Sequence, residues 1–209
     1  MERRADMAGE KRRYHTLALR KSLLGVIAEL YLFPQTDEAM AQALAGQFPD
    51  LDTDGARDCF SYLEKKGYIK TSRAKDRRMT ARITAKGIDL VEGAVTDRGI
   101  LSARPDFTGL SLKRSVRSGI LAYCRQFPDS FNGDDEILAE LKELGMGALI
   151  IEQVRYSIWY LSEKSLLELK THPLKSDLVF FARITAKGID LVEGGISDPG
   201  VMSAHGGEL

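Results

Sequence analysis

The chain has 209 residues, 44% of them hydrophobic, and its 30 lysines and arginines balance 30 aspartates and glutamates, for a net charge of zero. No apolar run approaches the roughly 20 residues that a membrane span requires, and the charged opening MERRADMAGEKRRYHT lacks the apolar stretch of a secretory leader, so a cytoplasmic protein is expected. The only cysteines, Cys59 and Cys124, sit inside apolar helical patterns and are expected to pack as small buried residues rather than to form a bridge.

Residues 1–15 are a charged extension, with Arg3, Arg4, Lys11, Arg12 and Arg13 interrupted by Glu2, Asp6 and Glu10, expected to be a helix extension or a mobile arm. From Thr16 to Leu32 the apolar residues Leu17, Leu19, Leu23, Leu24, Ile27, Leu30 and Tyr31 fit one broad buried helical face, which Pro34 ends. Thr36 is the expected cap of a second helix, DEAMAQALAGQF, whose Asp37 and Glu38 suit the positive end of the helix dipole. Asp52 or Thr53 caps a third, over about 54–66, with Ala56, Cys59, Phe60 and Leu63 inward. A strand over Tyr68 to Thr71, a polar tip SRAKDRR and a returning strand over Met79 to Thr84 form a hairpin. Thr84 then caps a short helix that stops at Gly93, where a left-handed backbone is needed.

That last stretch returns. Residues 81–93, ARITAKGIDLVEG, are repeated without change as residues 182–194, and the tails that follow share Asp-x-Gly-[Ile/Val]-[Leu/Met]-Ser-Ala at 97–103 and 198–204. A period near 100 residues points to one module used twice, with each tail belonging to its own module. The second copy keeps the order. Leu112-Lys113-Arg114-Ser115 echoes Leu19-Arg20-Lys21-Ser22, a second helix is expected over 134–144, a third and longer one over about 147–165, and a tip at KTHPLKSD before the apolar run Leu178 to Phe181. The expected domains are residues 16–104 and 112–204, with a linker at 105–111 and a short tail at 205–209. Residues 1–104 carry 19 lysines and arginines against 15 acids, a charge of +4, while residues 105–209 carry 11 against 15, or −4, so the halves suit different partners.

Helix, helix, helix, strand, charged tip, strand, helix is the order of a winged helix-turn-helix module. Tyr62 to Ile69, YLEKKGYI, resembles the exit of the third helix in such domains, and Ile83-Thr84-Ala85-Lys86-Gly87 resembles the start of the helix after their wing. The fold class expected is mainly α with small β-hairpins (α+β), as two tandem winged-helix domains from an internal duplication. The resemblance implies duplex DNA binding by the first copy, the third helix entering the major groove and the wing lying on phosphates. The residues in those places are Arg57, Ser61, Lys65 and Lys66 on the helix and Lys70, Arg73, Lys75, Arg77, Arg78 and Arg82 on the wing, with Arg20 and Lys21 as further phosphate contacts. Asp50, Asp52, Asp54 and Asp58 at the start of that helix weigh against it, because carboxylates repel the phosphate field. In the second copy Tyr156, Trp159, Phe180 and Phe181 form either an aromatic patch for a protein partner or a homodimer, or part of a larger core. The alternative for the whole chain is an assembly or adaptor protein without DNA contact.

His15, His172 and His205 have no ligand spacing, and no phosphate loop or nucleophile elbow occurs, so neither a metal, a cofactor nor an enzymatic activity is expected.

Overall fold

The computed structural model describes residues 2–73, 78–102, 107–174 and 177–202, with only the backbone described at 2–12 and 107. The chain divides into two units, Met1–Pro105 and Asp106–Leu209. The fold is mixed α+β, with eight helices and two small antiparallel sheets among the described residues.

In unit 1, helix α1 (Glu2–Glu29) is followed by a two-residue strand β1 (Gln35–Thr36), α2 (Asp37–Leu44), α3 (Thr53–Lys65), β2 (Ile69–Arg73), β3 (Met79–Ile83) and α4 (Ala85–Val91). The charged extension is thus the first part of α1. Capping sets the later boundaries. Thr36 Oγ1 accepts from the Ala39 amide, Asp52 from Gly55 and Thr84 from Gly87, each satisfying one of the orphan donors of a first turn. Helix α2 stops at Leu44, short of the expected Phe48, because Gly46 disfavours continuation and Phe48 turns back into the core. The buried face of α3 is Ala56, Cys59, Phe60 and Leu63, as its spacing predicts.

The sheet order is β1-β3-β2, with Ile69 opposite Ile83, Lys70 opposite Arg82 and Ser72 opposite Thr80. Alternation sends Ile69, Met79, Ala81 and Ile83 into a core built with Leu23, Leu24 and Ile27 of α1, and leaves Lys70, Ser72, Thr80 and Arg82 on the other face.

In unit 2 the same order recurs as α5 (Phe107–Gln126), β4 (Asn132–Gly133), α6 (Asp134–Glu143), α7 (Ile151–Glu163), β5 (Leu167–Leu174), β6 (Asp177–Ile184) and α8 (Ala186–Val192), with sheet order β4-β6-β5. Two expectations need correction. The stretch expected as a linker, 105–111, is helical from Phe107 onward. Helix α7 is no longer than α3, each having 13 residues, because Gly145 adopts φ 92° and Leu149 is drawn into the core before Ile150 caps the helix. The hairpin, instead, is what has lengthened, its strands having eight residues against five. Pro173 is tolerated there because β5 is the edge strand.

Each tail returns to the first helix of its own unit. The Leu101 amide donates to the Leu17 carbonyl, Arg20 Nη1 donates to Gly99 O at 3.0 Å, and Ile100 is buried. In unit 2, Arg117 Nη1 donates to Gly200 O at 3.0 Å, Ser118 Oγ to Met202 O, and Val201 is buried. These contacts make Val116-Arg117, rather than Leu112-Lys113, the counterpart of Leu19-Arg20.

Candidate nucleic-acid interface

The exposed face of the β2–β3 hairpin holds Lys70, Ser72, Thr80 and Arg82, with Arg78 preceding β3 in the same alternation. Ser72 Oγ and Thr80 Oγ1 lie 2.7 Å apart. Lys70 stands directly opposite Arg82. Arg73 is exposed but belongs by alternation to the opposite face, past the end of the core, so the expected wing cations do not form one strip. Lys75 and Arg77 lie outside the described residues.

Register identifies the corresponding positions in unit 2. Ile69 opposite Ile83 matches Leu167 opposite Ile184, so Lys70 corresponds to Glu168, Ser72 to Lys170, Arg82 to Arg183, Thr80 to Phe181 and Arg78 to Val179. Glu168 and Arg183 form an ion pair at 2.7 Å, and Lys170 and Arg183 lie 3.9 and 4.7 Å from the centre of the Phe131 ring. The second face carries an ion pair and apolar side chains where the first carries Lys70, Arg78 and Arg82.

Helix α3 does not present the expected base-reading cations. Arg57 donates through Nε and Nη2 to the fully buried Asp37 at 3.0 and 2.8 Å, and through Nη1 to Asp54 at 2.6 Å, which raises its pKa and clamps α3 to α2. It is not available to read a guanine edge. Ser61 Oγ donates to Arg57 O within the helix. Two of the four acids near the helix start are structural, Asp52 as cap and Asp54 as the partner of Arg57, while Asp58 is exposed. Glu64 accepts from the amide and hydroxyl of Thr71, tying the helix to β2. Of the predicted helix residues, Lys65 alone is exposed with no partner among the described residues.

Lys66, Arg20 and Lys21 bind the tail of the unit. Lys66 Nζ lies 3.0 Å from Asp97, whose carboxylate also accepts from Tyr68 Oη at 2.8 Å and from the Gly99 amide, while Arg20 stacks on Tyr62 at 3.4 Å. Lys21 Nζ reaches Ser102 O at 3.4 Å. The same knot is found in unit 2, where Lys164 and Tyr160 donate to Asp198, Gly200 N caps that carboxylate, and Arg117 stacks on Tyr160 at 3.5 Å. No sequence motif announces this knot beyond the recurring Asp-x-Gly.

Burial pushes the Asp97 carboxyl up, but the Gly99 amide, the Tyr68 hydroxyl and Lys66 outweigh it and hold the group down at about 2, from an ordinary 3.8. A carboxyl lowered on folding adds stability that is fully present above its unfolded pKa and lost as pH falls through the folded one. Amide protection in unit 1 is therefore expected to fall between about pH 4 and pH 2, and Asp97→Asn is expected to remove that pH dependence. An unchanged profile in the variant would place the acid sensitivity elsewhere.

In unit 2 the four aromatic candidates separate. Trp159 and Phe180 are buried, 4% and 0% exposed, and belong to the core, so the patch reading fails for these two rings. Tyr156 and Phe181 are half-buried, Phe181 pointing away from the core as alternation requires. Cys59 and Cys124 are buried free thiols, and burial pushes Cys124 up to about 12.

Among the described residues no group of three or more histidines, cysteines or acids is placed to hold a metal ion, and no helix is long and apolar enough to cross a membrane. No family model, curated protein or solved structure matches this chain.

Proposed function

We propose that the chain is a non-enzymatic, cytoplasmic DNA-binding protein made of two tandem winged helix-turn-helix modules, a regulator or DNA-organising factor. Unit 1 grips the backbone of duplex DNA with its wing, and unit 2 associates with protein. The observation that carries this is the opposition of Lys70 to Arg82 on an exposed sheet face, with Arg78 beside them. Cations gathered on one sheet face suit the field of a phosphate backbone. The corresponding positions in unit 2 are Glu168 and Arg183, an ion pair. Since Arg57 is held by Asp37 and Asp58 is exposed on α3, contact is with phosphates and the wing leads.

The second reading, an adaptor without DNA contact, is favoured by the same acidic helix surface, on which Asp54, Asp58 and Glu64 are all exposed. Salt dependence separates the two. Binding of a random-sequence duplex is expected to weaken linearly in log K against log salt, and Lys70→Ala with Arg82→Ala is expected to reduce that slope by about 2. No binding at about 50 mM salt would leave the adaptor reading in place.

A further inference from the structure

The outer face of the second hairpin opens into a cleft of about 410 Å³, walled by Phe131, Val179, Phe181 and Leu174, with His172 on the edge strand and Asp135 at the rim. Leu174 is 56% exposed, a large apolar side chain at the mouth. Glu136 lies beside Asp135, with its carboxylate turned onto the Gly133 amide at 3.0 Å. The Asp135 carboxylate is exposed and accepts no hydrogen bond among the described residues. Among the described residues the cations beside the cleft, Arg183 and Lys170, lie over the Phe131 ring, and Arg183 is also paired with Glu168. The cleft therefore offers an apolar floor to one side chain and, on its α6 side, the carboxylates of Asp135 and Glu136 to its neighbour.

We propose that this cleft docks an extended segment of a partner protein in which an aromatic or large aliphatic side chain is flanked by lysine or arginine. It rests on the proposal that unit 2 associates with protein and names the kind of segment it takes. Two positions make the difference from unit 1. Phe181 replaces Thr80 and Val179 replaces Arg78, converting a polar, cationic surface into the walls of a pocket. An anchor ring in such a pocket carries most of the affinity of a short segment, and the charged rim selects its neighbours.

The full chain is titrated by NMR with three acetylated and amidated peptides, Gly-Lys-Phe-Lys-Gly, Gly-Glu-Phe-Glu-Gly and Gly-Lys-Gly-Lys-Gly, into the millimolar range. Saturable shifts confined to β5, β6 and the start of α6 are expected for the first peptide alone. Phe181→Ala is expected to abolish them and Asp135→Asn to weaken binding about threefold. Phe181→Leu retains an apolar wall and is expected to retain binding, and unchanged Trp159 fluorescence certifies the fold of each variant. Equal binding of the acidic peptide, shifts elsewhere, or none would overturn the proposal. So would a concentration-dependent mass with cleft signals shifting in step, since the occupant would then be a second copy. A chain that binds DNA but ignores all three peptides loses this inference alone, whereas peptide binding without DNA binding sinks only the wing's role.

Discussion

Replacing Arg155 by methionine is expected to lower the stability of unit 2 by about 3–5 kcal/mol. The reason lies in Asp134, whose side chain is 2% exposed and whose carboxylate is held by Arg155 Nε, the Phe180 amide at 3.2 Å and the Asp135 amide at 3.0 Å. Without the guanidinium a buried negative charge remains with two neutral donors, and the low local polarity that makes the pair strong makes the orphan costly. Arg155 also reaches Asp177 at the foot of β6 through Nη1 and Nη2, at 2.8 and 3.1 Å, so it joins α6, α7 and the hairpin. Trp159 is the only tryptophan and is buried in unit 2, so its fluorescence during urea unfolding reports this unit. A loss under about 1 kcal/mol would show that water reaches Asp134.

A second large effect is expected from a single methyl group. Gly188 lies in the first turn of α8, and a Cβ there would stand 2.2 Å from the Leu166 carbonyl oxygen and 2.8 Å from Ile184 Cγ1. That carbonyl also accepts from the Thr185 amide and hydroxyl, so it cannot retreat without breaking the cap that starts the helix. Alanine would gain about 1 kcal/mol of helix propensity, and overpacking against backbone outweighs it, for a net loss of about 3 kcal/mol. The tryptophan signal again reads the result. A neutral or stabilising Gly188→Ala would mean that α8 rides freely on the hairpin. Gly87 has the same setting in unit 1, 2.3 Å from Tyr68 O.

Local signals carried most of the fold into the sequence. Thr36, Asp52, Thr84 and Thr185 cap the helices where expected, and Gly93 and Gly194 adopt φ 79° and 81°. Spacing located the buried face of α3, and the unchanged stretch 182–194 led to the second copy of the strand-to-helix corner. Long-range pairing was not legible. The bond between Arg57 and Asp37 spans 20 positions, and that between Arg20 and Gly99 spans 79, so cations that look exposed on their own helices are held by distant partners. Whether Trp159 belongs to a patch or to the core could not be read from spacing alone, because burial of a ring depends on the elements that pack against its helix. The cleft escaped for the same reason, since Phe131 meets Val179 and Phe181 only once β4, β5 and β6 are in register.

The hydrogen bond from Leu101 to Leu17 closes the folded core of unit 1 on itself, its tail stitched beside the point where α1 enters that core. A body whose beginning and end are neighbours can be strung on a chain like a bead, because whatever is spliced on afterwards asks nothing of its interior. Its surface is then free to drift, and a lysine can become a glutamate, or an arginine a valine, while the scaffold beneath stays the same.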